Sequence, residues 1–320
     1  MEPLAVTAKD VEAALDIVRE VAHHTPTVRS VAGGEEVYLK LESLQRLGAF
    51  KIRGAWNRFA QLSQTEREAG VSTLSSGNHG RAVAWAARRL GLRCVVRVPE
   101  GATGRKVEAI RGEGATVTAM PRGELVRTHE EELWRRWPET FIHPFAHPLT
   151  IAGQGTAGWE LAEDAPDVRT VLVPVGGGGL ASGIAVAVKS RLPRAKVFGV
   201  QAEGAAPLPE ALRTGRPAKV AEPRTIADGI RIGLILPAML PLLSGNLDGC
   251  LLVTDGEIRA AMRTLAMEAH VIAEPAGAAA VAAWIRHRGT LEPPVAAIVS
   301  GGNAEPSLLE EILSNRPDAA

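Results

Sequence analysis

A chain of 320 residues with 46% apolar side chains exceeds what one small core needs and points to one large or two closely joined domains. Lysine plus arginine balance aspartate plus glutamate at 36 each, which excludes a global basic field for nucleic acid or an anionic membrane and leaves a small molecule as the default partner. Two cysteines, Cys94 and Cys250, lie in apolar surroundings without CxxC spacing, the pattern of reduced thiols in a cytoplasmic protein rather than of a disulfide or zinc framework.

Residues 1–10 carry Glu2, Lys9 and Asp10, so no basic-then-apolar leader is expected. Thr7 is the expected cap of an amphipathic helix through Val18. His23 and His24 are adjacent and cannot share a helical face, which argues against a metal site. Residues 37–42 alternate like a strand, and 54–62 reads as a helix. Between them, Lys51 stands between Phe50 and Ile52 in a Gly-flanked apolar run. Desolvation by such neighbours pushes a lysine toward a nucleophilic amine; a stem snorkelling along apolar surface is the ordinary alternative.

Residues 71–74 form a strand candidate that runs into Ser75-Ser76-Gly77-Asn78-His79-Gly80, with an Ala-rich helix over 81–90. Such a loop offers free amides at a helix N-terminus, a ready anion site. Strands at 93–98 and 115–120 around a helix at 104–112 continue a βαβαβ rhythm, which implies a parallel sheet. Residues 130–137 read as a solvated amphipathic helix with its tryptophans inward. A second series follows: a helix at 156–163, a buried strand at 170–175, then Gly176, Gly177, Gly178 and Gly179, a helix at 180–191 and a strand at 196–202. Four glycines between a parallel strand and a helix let the backbone fold tightly around an anion. The most apolar stretch, 234–243, is too short to span a bilayer and is broken by Pro237 and Pro241. A strand at 295–299 carries Ser300-Gly301-Gly302-Asn303 at its tip, where ligands of open α/β sheets collect.

The chain has no HExxH, no GxSxG elbow and no Walker lysine after its glycines. The glycine run misses GxGxxG, because Ser182 stands where a third glycine would follow Gly177 and Gly179. Glu203 is still placed to mimic a ribose-binding acid, so an NAD enzyme stays in competition, but it leaves Lys51 unexplained. A phosphate cradle, a desolvated lysine and a strand-tip serine together suggest pyridoxal phosphate held as a Schiff base.

Lys40-Leu41-Glu42 with Gln45, Phe50-Lys51-Ile52-Arg53-Gly54-Ala55, the 75–80 loop, Ala152-Gly153-Gln154-Gly155-Thr156, the 176–179 glycines, Thr225-Ile226-Ala227-Asp228-Gly229, Glu274-Pro275-Ala276-Gly277 and Ser300-Gly301-Gly302-Asn303 follow one another. In this order they resemble the fold type II pyridoxal-phosphate enzymes, specifically the serine/threonine dehydratase and serine racemase family, over nearly the whole chain. The resemblance implies an α/β fold of two open, twisted, mostly parallel sheets flanked by helices. A small domain, 71–146, is then inserted in a large cofactor-binding domain of 1–70 and 147–320. By resemblance Lys51 carries the cofactor and acts as base, Ser76 lies on the opposite face, Phe50 packs by the ring and Asn78 hydrogen-bonds the ring hydroxyl. Gly176, Gly177, Gly178 and Gly179 hold the phosphate and Ser300 faces the ring nitrogen, while Ser75, Ser76, Gly77, Asn78 and His79 receive the substrate carboxylate.

The activity so implied is β-elimination from a β-hydroxy amino acid such as L-threonine or L-serine, giving a 2-oxo acid and ammonia, in a cytoplasmic homodimer. Serine racemisation, or dehydration of hydroxyaspartate or phenylserine, is the alternative within the family, and a non-catalytic amino-acid-binding protein the alternative outside it. Leu47 and Ala49 replace hydroxyl residues common before the family's lysine, which bears on substrate choice. Pro209 stands where cation-dependent members carry an Asp after the residue matching Glu203, so no divalent metal site is expected. Ala146 and His147 replace two acids, and His147 is expected as a solvent-exposed loop residue. The chain ends soon after Asn303, so no regulatory domain is expected.

Overall fold

The computed structural model describes residues 2–102 and 104–314; Met1, Thr103 and 315–320, which fall within the expected domain limits, lie outside the described residues. Helix α1 (Ala8–Arg19) starts from Thr7, which closes a capping box with Asp10, and buries Val11, Ala14, Leu15 and Val18 along one stripe. A hairpin of β1 (Thr27–Ala32) and β2 (Glu35–Leu41) precedes α2 (Lys51–Ala60) and α3 (Gln64–Ala69). Helix α2 begins at Lys51 rather than at residue 54, because Phe50 already has helical dihedrals and its carbonyl accepts from Arg53 N at 3.0 Å.

Strands and helices then alternate: β3 (Val71–Leu74), α4 (Asn78–Arg89), β4 (Cys94–Pro99), α5 (Gly104–Gly112), β5 (Thr116–Met120), α6 (Arg122–Glu130) and β6 (Thr140–Phe141). The four strands form one parallel sheet in the order β5-β4-β3-β6. The helix expected over 130–137 does not form there. The helix is α6, upstream, and left-handed Glu132 (φ 53°) separates it from a short 3-10 turn, Leu133–Arg136. The tryptophans do turn inward: Trp134 stacks on Phe141 at 5.1 Å between centroids and Trp137 meets it edge-on at 5.5 Å.

The remainder comprises α7 (Pro148–Asp164), β7 (Thr170–Pro174), α8 (Gly179–Arg191), β8 (Lys196–Ala202), α9 (Leu208–Thr214), α10 (Leu240–Asn246), β9 (Gly249–Val253), α11 (Asp255–Met267), α12 (Pro275–His287), β10 (Val295–Val299) and α13 (Pro306–Leu313). Helix α7 starts well before residue 156 because Pro148 suits a first helical position and His147 Nδ1 accepts from Leu149 N at 3.2 Å. The six-stranded sheet runs β1-β2-β10-β7-β8-β9 and is parallel except for the β1–β2 hairpin. Every position of β7 and β10 is buried, as a sheet covered by helices on both faces demands. Among the described residues no helix is long and apolar enough to cross a membrane.

Helices α2 and α7 touch closely. A Cβ on Gly54 would lie 2.5 Å from Thr150 O, so only glycine permits the crossing. Beside it Arg53 is wholly buried, donating to Glu42 through Nε (2.8 Å) and Nη2 (2.7 Å) and to Glu160 through Nη1 (2.8 Å) and Nη2 (2.7 Å). Lys40 Nζ donates to Thr25 O at 2.7 Å and pairs with Glu160 at 2.9 Å. These buried charges are therefore compensated, and the network clamps β2, α2 and α7 behind Lys51.

Candidate active site

A cavity of about 410 Å³ opens at the carboxyl ends of β3, β7 and β10, where open α/β sheets gather ligands. Phe50, Lys51, Ser75, Ser76, Gly77, Asn78, His79, Gly176, Gly177, Gly178, Gly179 and Ser300 all line it. The structure thus brings every candidate site residue of the sequence to one place.

Lys51 reaches the cavity from the first turn of α2. The segment before it is stitched to the tip of β10: Phe50 N donates to Ser300 O at 3.2 Å, Gly302 N to Gly48 O at 2.8 Å, and Asn303 Nδ2 to Leu47 O at 2.7 Å. Leu47 is left-handed (φ 67°), an uncommon state for a branched side chain. Lys51 Nζ donates to Pro144 O at 3.0 Å and lies 5.0 Å from the Phe50 ring centroid. Desolvation pulls its pKa down to about 8, against the opposing charge of Glu274. The amine therefore carries an appreciable neutral fraction near physiological pH.

The glycine turn follows β7 and opens α8. Gly178 is left-handed (φ 94°), and a Cβ on Gly177 would stand 2.4 Å from the Phe145 ring. No side chain can occupy this turn, so its backbone faces the cavity with amides that the first turn of α8 leaves unpaired. Ser300 is buried at the tip of β10, the strand beside β7, and lines the same cavity with a neutral hydroxyl 3.4 Å from Ala276 O.

The 75–79 loop joins β3 to α4. His79 Nε2 contacts Ile142 O at 3.1 Å, and burial, then the Lys51 charge, lowers its pKa to about 3. It is neutral, so the loop offers amides and hydroxyls rather than a cation. Asn78 Nδ2 donates to Glu274 Oε1 at 2.7 Å, and Asn78 Oδ1 accepts from Asn303 Nδ2 at 2.8 Å, which among the described residues leaves one amide hydrogen of Asn78 free.

Glu274, which the sequence places in a motif without a role, lines the cavity beside Asn78. Desolvation raises its pKa to about 7, although the Asn78 hydrogen bond and Lys106 favour its ionised form. An acid directly before a helix-opening proline in an apolar run was the available signal. His129, on α6, was missed too; it lines the same cavity, and burial lowers its pKa to about 4. His147 is corrected: it is the cap of α7, and burial lowers its pKa to about 4. Glu203 pairs with Arg286 at 2.9 Å, and among the described residues no cluster of three or more His, Cys, Asp or Glu side chains could hold a metal ion.

A family model described as pyridoxal-phosphate dependent enzyme matches residues 18–301. The L-threonine ammonia-lyase of Thermotoga maritima is 40% identical over 97% of this chain and 78% of its own length. The crystal structure of a serine racemase from Dictyostelium discoideum superposes with a TM-score of 0.84 at 37% identity, covering 94% of this chain and 99% of that one. A threonine deaminase of Solanum lycopersicum gives a TM-score of 0.86 at 32% identity, over 98% of this chain and 95% of its own.

Proposed function

The chain belongs to the fold type II pyridoxal-phosphate dependent enzymes, and from that membership we propose that it is an ammonia-lyase converting a β-hydroxy amino acid such as L-threonine or L-serine to a 2-oxo acid and ammonia. The observation that carries the reading is the single cavity shared by Lys51 Nζ, the 176–179 turn, Asn78 and Ser300. These residues fit the cofactor. Lys51 offers an amine for its aldehyde, the turn a cradle that a Cβ on Gly177 would fill, Ser300 a neutral hydroxyl for its ring nitrogen, and Asn78 a free amide hydrogen for its ring hydroxyl. Phe50 packs alongside.

When bound, the cofactor supplies an electron sink for the substrate Cα. The protein's part is to place and move protons. Lys51, with a pKa near 8, takes a proton at Nζ and holds it against Pro144 O. The 75–79 loop orients the substrate carboxylate at the N-terminus of α4 through the hydroxyls of Ser75 and Ser76 and the amides of Ser76, Asn78 and His79, while Ser75 N donates to Arg97 O and Gly77 N to Ser75 Oγ and so shape the loop. Racemisation is the second reading, favoured by Ser76, whose hydroxyl lines the same cavity as Lys51. The resemblance to dehydratases and racemases also supports a homodimer. Free Cys94 and Cys250, with thiols pushed up to about 12 mainly by burial, suit a reducing cytoplasm. The proposed small domain, 71–146, is built on the four-stranded sheet.

The test is ammonia release from a panel of β-hydroxy amino acids by the protein and by Lys51→Ala. The protein should release ammonia and fix its cofactor covalently on borohydride reduction; the variant should do neither. Release from no substrate, or unchanged fixation in Lys51→Ala, overturns the proposal. Racemised serine without pyruvate would move the reading to a racemase.

A further inference from the structure

The cavity has a wall that the proposed reaction does not use. Leu125 and Val126 of α6 line it together with Leu74, while Phe145 and Ile232, which also line the cavity, pack against the glycine turn. Val126 keeps 36% of its surface exposed, so a large apolar side chain faces the opening rather than the core. Leu125 packs on the small apolar group of Leu74, Met120 and Phe141. His129 adds a ring 5.8 Å from Phe145 and 5.3 Å from His143, and its buried Nδ1 has no hydrogen-bond partner among the described residues. Burial keeps that imidazole neutral at physiological pH.

Four further basic side chains line the cavity, and each has an acidic neighbour. Lys106 and Arg231 pair with Asp228 at 3.0 and 2.8 Å, Arg105 with Glu305 at 3.6 Å, and Arg81 with Glu113 at 3.7 Å. A second substrate carboxylate would have to compete with one of these acids. A methyl group would leave most of the apolar wall against water, whereas a ring or branched alkyl group would cover it.

We propose that the α6 wall of the cavity receives an apolar substituent on the substrate Cβ, larger than methyl, so that the substrate class is 3-hydroxy amino acids with an aryl or branched alkyl side chain. The inference rests on the proposed elimination for its reaction but not for its pocket. In that reaction the Cα–H and Cβ–O bonds break, one water leaves, and one water returns to Cα as ammonium departs. The substrate R–CH(OH)–CH(NH3+)–COO− thus becomes R–CH2–CO–COO− plus NH4+.

Binding and turnover separate the two claims. L-phenylalanine, L-alanine and L-aspartate lack a β-leaving group, and their affinities for the holoenzyme are read from the change in cofactor absorbance. L-phenylalanine should bind about tenfold tighter or more than either of the others, and threo-phenylserine should exceed L-threonine and hydroxyaspartate in kcat/KM by a similar factor. Val126→Asn, at a half-open position that tolerates a polar group, should lower the ratio of phenylalanine to alanine affinity. Alanine or aspartate binding as tightly as phenylalanine overturns the inference, and ammonia release from L-threonine in the same preparation would show that the elimination stands without it. Tight phenylalanine binding with no ammonia from any β-hydroxy amino acid would overturn the elimination and keep the pocket.

Discussion

Asn78 Nδ2 donates to Glu274 Oε1 across 2.7 Å, joining the first turn of α4 to the residue that precedes α12. The carboxyl is raised to about 7 by desolvation, so the folded protein holds a proton there that the unfolded chain gives up near 4.5. Between those values the native state binds more protons, and stability falls as pH rises. Glu274→Gln should therefore stabilise the protein more at pH 8 than at pH 5, as urea unfolding at the two values would show. Because the Glu274 charge also raises the Lys51 pKa, the variant should lower the midpoint for modification of the Lys51 amine in cofactor-free protein. An unchanged midpoint would separate Glu274 from the amine.

Gly177 supplies a second test. A Cβ there would lie 2.4 Å from the Phe145 ring, inside the distance that any real contact allows. Gly177→Ala should weaken cofactor affinity at least about tenfold, since one misplaced donor in an anion cradle is worth on the order of 1–3 kcal/mol. Adding Phe145→Ala relieves the collision, so fluorescence titration with pyridoxal phosphate should show the double variant regaining only part of the loss. Full recovery would mean that the turn tolerates a side chain.

Lys51, the four glycines and Ser300 were legible because each is a local pattern at the end of a strand or the start of a helix, where chain order alone places it near the sheet's carboxyl edge. Glu274 was not, because its meaning comes from Asn78, a partner distant in sequence on the other sheet's loop. Helix α12 was hidden for a different reason. It is buried from Pro275 through Trp284 and so shows no polar face to set a period. The helix placed at 130–137 followed its charge pattern, which gave no sign that Glu132 adopts a left-handed turn. His147 looked like a loop residue because capping by an imidazole carries no common sequence mark.

Chelation should leave the enzyme active. The Glu203 carboxylate is engaged with Arg286 at 2.9 Å, and Pro209, which by the resemblance stands where cation-dependent members carry an Asp, offers no side-chain ligand. Ammonia release should be the same before and after dialysis against a chelator, with no gain on adding magnesium. Inhibition that magnesium reverses would place a cation in the protein and contradict this expectation.

Arg53 joins Glu42 and Glu160 where all three side chains are almost fully excluded from solvent. Burial by itself would raise the Glu42 pKa, but the charge and hydrogen bonds of Arg53, with help from Lys40 and Thr25, bring it below the usual carboxylate value. That depression contributes stability above the unfolded carboxylate range, and the contribution is lost as pH falls through the folded value. Arg53→Met removes the counter-charge and leaves the carboxylates buried, which should cost about 3–5 kcal/mol near neutral pH. On acidification the stranded carboxylates take up protons, so the deficit of the variant should shrink between pH 7 and pH 4, as paired denaturant titrations would show. Since Arg53 lies one position past Ile52 on the helix that begins with Lys51, cofactor affinity should fall with stability. A deficit that stays constant with pH would show that Arg53 acts through packing alone.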